Sequence, residues 1–432
     1  MGHIAEKHYG IHTIKKITIL GLLIWTLAAL FFLYEFFLRT SLGTLAPMFI
    51  QKLHIGAAQL SFISAAYFLI YAIMQIPVGI VIDKWGIRRP LMFAVFTCAI
   101  GMYLFGHSTA FYSLVISRML MGFGSSFAFV SLLMLAINWF PKKNLGVFFG
   151  ATQVLGAIGP ILAGKPLLML LQWFDHNLPR VSDYIAGFGV ILIAAVFFFL
   201  QDKPKTKLKA KLKIAKRDFA IRKKLAELFS NFQVVWIAIY AFTSYASISL
   251  LGALWGTYYL ETLGFTENVA VTITSMLWIG LAVGSPMVGI VSDRIKRTRV
   301  LLWVCSAFGI ILSSAIIFTP SNSRIIYSLL FFGLGFFGAG QTLSFVCLSD
   351  RVKPHLRATA MGFNNTAVML GGTLIPPLVG IMVEWSDSLT TGPHATMYTH
   401  QDFVLALLVM PLLYCLGLWI SCFKIKPKIN TR

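Results

Sequence analysis

Charge is scarce in this chain, and acidic charge is scarcest. Only 12% of the 432 residues are charged, with 15 Asp and Glu set against 36 Lys and Arg. With 58% hydrophobic residues and a mean hydropathy of +0.80, there is too little polar surface to coat a water-soluble domain. Cysteine is also sparse. Cys98, Cys305, Cys347, Cys415 and Cys422 all lie in or beside apolar runs, without metal-ligand spacing, which argues against a metal site or a disulfide framework. His394 and His400, in the last polar loop, also lack ligand spacing. The sequence contains no Gly-rich phosphate loop, nucleophile elbow or zinc-binding His pair, so it carries no enzyme signature and no ATP site. No cofactor is expected, and uphill work on a solute would have to draw on an ion gradient.

Long apolar runs are plentiful. Segments of this length read as membrane-spanning helices, and twelve are expected. They fall near Ile17–Leu45, Ala58–Ile82, Pro90–Gly106, Ala110–Phe140, Leu145–Leu171 and Tyr184–Leu200 in the first half. In the second half they fall near Val234–Leu260, Val269–Val291, Val300–Phe318, Ile325–Leu348, Ala358–Trp385 and Phe403–Phe423. The first run is too long for a signal-peptide core and lacks a small-residue cleavage site, so it reads as a retained span. Between Lys203 and Lys224 the composition changes, with eleven Lys and Arg in the longest polar stretch. Residues 1–200, 201–230 and 231–432 therefore read as a six-helix unit, a basic linker and a second six-helix unit. Part of the linker, Ile214 to Leu228, has the pattern of an amphipathic surface helix; a solvated basic linker is the simpler reading. No nucleic-acid-binding fold fits in some thirty residues, so the net charge of +21 does not imply DNA or RNA.

The basic residues instead report topology. With both termini on one side, that side holds thirty Lys and Arg, the opposite loops hold four, and Arg39 and Arg118 lie within spans. The positive-inside rule then places both termini in the cytoplasm of a multi-pass plasma-membrane protein, and the short termini suggest a bacterial inner membrane.

Gly79-Ile80-Val81-Ile82-Asp83-Lys84-Trp85-Gly86-Ile87-Arg88-Arg89 joins the second and third runs. Gly79 suits close helix packing and Gly86 a tight turn, while Asp83 sits where a helix end can be bridged or capped. Lys84, Arg88 and Arg89 supply inside charge. The pattern G-x-x-x-D-[KR]-x-G-x-[RK]-[RK] resembles the loop signature of the major facilitator superfamily at every specified position. A degraded copy follows 210 residues later at Gly289-Ile290-Val291-Ser292-Asp293-Arg294-Ile295-Lys296. Two copies at half-chain spacing imply a duplicated architecture. Pro141, Gly150, Gly156, Pro160 and Gly164 likewise correspond to Pro354, Gly362, Gly371, Pro376 and Gly380, which pairs spans 5 and 11. The resemblance implies an all-α integral membrane fold of twelve helices in two pseudo-symmetric six-helix bundles around a central cavity. It also implies that Asp83 and Asp293, with Arg294, belong to gating loops.

Charges inside a bilayer are costly and face a cavity or a partner. Glu35 and Arg39 are four apart, on one face of span 1. They form either a self-neutralising pair or a coupled site, with Arg39 taking an anionic substrate group and Glu35 an exchangeable proton. Tyr34 to Arg39 resembles the Y-x-x-x-x-R region of organic-anion transporters in the superfamily, which places substrate carboxylate on the Arg. Arg118 opens Arg118-Met119-Leu120-Met121-Gly122-Phe123-Gly124, similar to the superfamily's R-x-x-x-G-x-G segment. That resemblance turns Arg118 to the cavity; pairing with a backbone carbonyl or with Glu35 is the structural alternative. Ser125 and Ser126 stand where anion symporters carry a further acid. Lys165 reads as an interfacial residue.

Polar residues at helical spacing outline a lining: Tyr67, Tyr71 and Gln75 on span 2, Gln153 on span 5, Tyr240 with Ser244 and Ser247 on span 7, Gln341 on span 10, and Asn364 and Asn365 on span 11. Each alone fits an interhelical hydrogen bond equally well. The expected function is secondary active transport of a small organic solute by alternating access. The favoured form is proton-coupled uptake of an anionic or zwitterionic metabolite by a monomer. Gly156-Ala157-Ile158-Gly159-Pro160 partly resembles an exporter signature, which keeps export of drugs or a siderophore open. A non-transporting receptor on the same fold is the third reading.

Overall fold

The computed structural model describes residues 18–141, 145–202, 226–295, 297–319, 321–353, 356–390 and 398–426. Among these residues secondary structure is helical, with no strand. Twelve segments are long and apolar enough to cross a membrane. In order they are Ile19–Leu53, Ala57–Gln75 (the helix continues to Trp85), Arg88–Gly106, Phe111–Trp139, Ala151–Trp173, Leu178–Phe199, Phe232–Thr262, Glu267–Ser292, Thr298–Phe318, Arg324–Ser349, Thr359–Leu389 and His400–Lys424. They are called spans 1 to 12 below. The face carrying Leu200 and Leu228, beside the basic linker, is the linker end, and the face where span 1 turns into span 2 is the far end. Most of the linker, residues 203–225, lies outside the described residues. So does most of the amphipathic stretch expected there.

Local chemistry accounts for most helix ends and breaks. Span 1 runs to Leu53, eight residues beyond the expected Leu45, with Pro47 accommodated inside the helix. At 1.5 Å per residue its 35 residues span about 52 Å, longer than a ~30 Å hydrocarbon core. Span 6 begins at Leu178, not Tyr184, because the Asn177 side chain accepts from Arg180 N and Pro179 occupies the first turn. Span 5 breaks at Gly164 and restarts at Lys165–Pro166, leaving Lys165 exposed at the joint. Span 12 breaks at Leu408, where Pro411 cannot donate to the preceding turn. Span 7 carries a π turn at Leu251–Trp255. No local sequence signal explains that turn.

The loop between spans 2 and 3 is held from inside its own half. Gly86 has φ 78, a left-handed conformation that favours glycine. The Asp202 carboxylate accepts from Ile87 N and Arg88 N, both at 2.8 Å, and so caps span 3. A β-carbon on Gly86 would collide with that carboxylate. Arg88 donates to Phe197 O, and Trp139 Nε1 donates to Gln201 O. Lys84, Arg89 and Arg294 are exposed, and the side chains of Asp83 and Asp293 lie outside the described set.

Contact between the halves is concentrated at the far end. Spans 2 and 11 cross there so closely that a β-carbon on Gly380 would sit 2.6 Å from Ala57 O and collide with Ser61 Oγ. Span 1 meets span 7 in the same way, with Ala253 O only 2.8 Å from a β-carbon on Gly43. Gly164 of span 5 abuts Ser275 of span 8, the duplicate of the Gly380–Ser61 contact. Hydrogen bonds complete the seal. Ala57 N donates to Tyr398 Oη at 2.8 Å, Ala58 N to Glu384 Oε1 at 2.9 Å, and Trp255 Nε1 to Ser61 Oγ at 3.2 Å. The first two cap the otherwise orphaned N-terminal amides of span 2 with side chains from the opposite half.

At the linker end the same helices part. A β-carbon on Gly79, Gly289 or Gly362 would meet nothing within 4 Å. The close packing expected of Gly79 is therefore absent in this conformation, because among the described residues span 2 has no neighbour against that glycine.

Candidate functional site

Between the bundles, on the linker side of the seal, lies a cavity bordered by spans 1, 2, 4, 5, 7, 8, 10 and 11. The centre of the arrangement is Arg39. Its Nη2 donates to both carboxylate oxygens of Glu35 at 3.0 Å, so the pair is joined on one turn of span 1. Glu35 is fully buried and Arg39 is 2% exposed. Such a pair survives in a low-dielectric interior because each charge is neutralised and most of its remaining groups are hydrogen-bonded. Tyr67 Oη donates to Glu35 Oε2 at 2.9 Å, and Arg39 Nη1 donates to Tyr245 Oη at 3.2 Å. The guanidinium lies over the Phe36 ring at 4.1 Å and near Tyr71 at 5.0 Å, adding cation–π contact. Among the described residues, Arg39 Nε is buried without a hydrogen-bond partner. Since Tyr245 belongs to span 7, the pair is tied to both halves.

The expected lining residues divide into three groups. Arg39, Tyr71, Gln153, Gln341 and Asn365 border the cavity. Tyr67, Gln75 and Arg118 stand behind it. Gln75 Oε1 accepts from Asn365 Nδ2 at 2.7 Å, a link between the halves. Arg118 is fully buried and donates from Nη1 to Leu38 O at 2.6 Å and from Nη2 to Arg39 O at 3.1 Å. It therefore pins the backbone that carries Arg39, which is the structural alternative to facing the cavity. Tyr240 and Asn364 form the third group, which the structure does not bring to the cavity. Tyr240 Oη donates to Leu302 O at 2.8 Å and Asn364 Nδ2 to Ser344 Oγ at 2.8 Å, so both are spent on packing inside the second bundle.

Sequence reasoning missed Tyr245, Trp278, Ser285, Thr342 and a set of phenylalanines that also border the cavity. Choosing the Tyr240–Ser244–Ser247 stripe selected a face of span 7 offset from Tyr245. The aromatic residues carry no distinguishing signal in a chain with 37 Phe. Asp202 was missed because it sits at the edge of the basic linker.

The sequence pattern of the Major Facilitator Superfamily matches residues 27–376, and the chain belongs to that superfamily. Among curated relatives it is 24% identical to the hexuronate transporter of Bacillus subtilis (strain 168), covering 82% of this chain and 85% of the relative. It is 23% identical to the membrane sensor protein UhpC of Escherichia coli (strain K12), covering 84% of this chain and 85% of that one. Its fold is similar to the crystal structure of a bacterial homolog of the human lysosomal transporter Spinster, described as inward-facing and unoccupied. That likeness has TM-score 0.77 at 14% identity and covers 96% of this chain and all of the other. The protein is thus a multi-pass membrane protein of a transporter superfamily, not an enzyme.

Proposed function

We propose that this protein is a proton-coupled secondary transporter that takes up a small anionic or zwitterionic metabolite, with Arg39 receiving the anion and Glu35 the proton. The observation that carries this reading is the buried Glu35–Arg39 pair at a cavity between two bundles. For a substrate of one net negative charge, charge balance supplies the coupling. Empty, the pair is neutral. With a proton on Glu35 and an anion on Arg39 the site is neutral again. A proton without the anion, or an anion without the proton, leaves one net charge in the low-dielectric midplane, at a cost of several kcal/mol. Only the neutral forms cross between conformations readily, so proton and anion move together. One guanidinium nitrogen, Nη2, holds both Glu35 oxygens, and a charge-assisted contact of this kind suits exchange of one carboxylate for another.

The charge bias of thirty to four puts the linker end in the cytoplasm. On that orientation the sealed far end is external, and this conformation presents the cavity inward. The protein would act as a monomer in a bacterial-type plasma membrane, with no cofactor beyond the gradient. Likeness to a membrane sensor favours a second reading, a receptor that binds without transporting.

One experiment separates them: uptake into proteoliposomes of labelled amino acids and hydrophilic carboxylates, with and without an inward proton gradient, for the native protein and Glu35→Gln. Gradient-driven accumulation that disappears in Glu35→Gln while counterflow persists is the expected result. Accumulation untouched by the substitution makes the pair structural. Binding without flux in either protein supports the receptor.

A further inference from the structure

We propose that the cavity is built for a molecule carrying a single carboxylate on an aromatic ring or flat apolar body. The inference rests on the anion-transport reading above and narrows it. Three features of the lining carry it.

First, among the described residues Arg39 is the only charged side chain bordering the cavity, so a second negative charge on the ligand would be buried without a partner. Second, the ring chain beside Arg39 is continuous. Phe129 lies 5.8 Å from Phe32, Phe32 lies 5.0 Å from Phe36, and Phe36 lies 6.1 Å from Trp278. All four rings border the cavity, and Phe36 also holds the guanidinium. Ring faces and edges at such spacings accept a further ring in stacked or edge-on contact. Third, most of the neutral polar side chains in the lining are already engaged, Tyr245 by accepting from Arg39. Asn365 is bonded to Gln75, and Ser285 to Thr342 at 3.2 Å. Among the described residues, the side-chain amides of Gln153 and Gln341 have no hydrogen-bond partner, and one belongs to each half. A sugar acid brings several hydroxyls, each of which loses water on burial, and two amides cannot replace that water. One or two polar substituents on a ring match what is free. The chemistry thus departs from the hexuronate named for a relative.

The test is ligand-induced stabilisation of the protein in nanodiscs, which yields apparent Kd without the complication of acids crossing a bilayer. The probes are benzoate, phenylalanine, 3-methylbutanoate, glucuronate, succinate and nitrate. Benzoate is expected to bind at least about tenfold more tightly than glucuronate or succinate, the scale of discrimination an apolar pocket provides. Phenylalanine adds an α-ammonium group for which the described lining holds no carboxylate, so it should bind more weakly than benzoate, and the reverse order overturns the single-charge premise. Phe129→Leu keeps apolar volume and removes one ring. It should weaken the aromatic acid by about threefold to tenfold and leave 3-methylbutanoate unchanged, a control that the variant is folded. Arg39→Gln serves as the control for the underlying reading. Binding that needs Arg39 but prefers glucuronate, succinate or nitrate overturns this inference and leaves the transport proposal standing. Binding of any probe that is indifferent to Arg39 overturns both.

Discussion

Spans 2 and 11 are in contact at one end of the molecule and apart at the other. At the far end Gly380 leaves room for the backbone of Ala57, and Glu384 and Tyr398 cap the first amides of span 2. At the linker end Gly79 and Gly362, on the same two helices, face open space. Spans 5 and 8 repeat the difference, with Gly164 tight against Ser275 while Gly289 is free. The seal is chemically modest. Three neutral or singly charged hydrogen bonds and a few close backbone contacts are worth on the order of 1 kcal/mol each. A free-energy difference of that size between two packings can be reversed by a ligand with a few kcal/mol of differential affinity. The free glycines at the linker end are then the surfaces on which the alternative packing would close.

The largest effect is expected at Arg39, where neither end is involved and both depend on the result. Arg39→Ala leaves Glu35 buried without its partner and should destabilise the protein by about 3–5 kcal/mol in reversible unfolding. The double variant Glu35→Gln, Arg39→Ala should recover much of that loss.

Next come the glycines. Gly380→Val forces span 11 off span 2 and should cost about 1–3 kcal/mol in the far-end-sealed form. Gly79→Val should change thermal stability by less than about 0.5 kcal/mol yet stop flux, because it obstructs only the packing not seen here. Equal stability losses at both positions would remove the asymmetry.

A smaller effect is expected at the far-end cap. Glu384→Ala should speed hydrogen exchange at the Ala58 amide about tenfold, corresponding to ~1.4 kcal/mol, while the Ala57 amide keeps its Tyr398 acceptor. The smallest effect on the balance between the ends belongs to Asp202→Ala. It should lower stability by about 1 kcal/mol through loss of the span 3 cap, and leave the distances between halves unchanged because Asp202 acts within one bundle.

Much of this was legible in the sequence. Twelve apolar runs, the repeated loop motif and the correspondence of Gly164 with Gly380 all anticipated two related bundles, and the four-residue spacing of Glu35 and Arg39 anticipated their contact. What was not legible followed from geometry that periodicity does not encode. Helical spacing grouped Tyr240 with Ser244, but only the packed helices turn Tyr245 toward Arg39. Arg118 matched a family segment, and its two backbone acceptors on span 1 depend on how span 4 crosses that helix. Which glycines touch and which stand free depends on how the packed helices cross, which the sequence alone does not encode.

The most direct test of reciprocal sealing is to measure both ends in one molecule. Spin labels at the exposed positions Trp173 and Asn268 report the far end, and labels at Trp85 and Arg357 report the linker end. In the variant Glu384→Ala, Tyr398→Phe, the far-end distance should lengthen and the linker-end distance should shorten in the same fraction of molecules. A far end that opens while the linker-end distance stays unchanged would contradict alternating access in this protein.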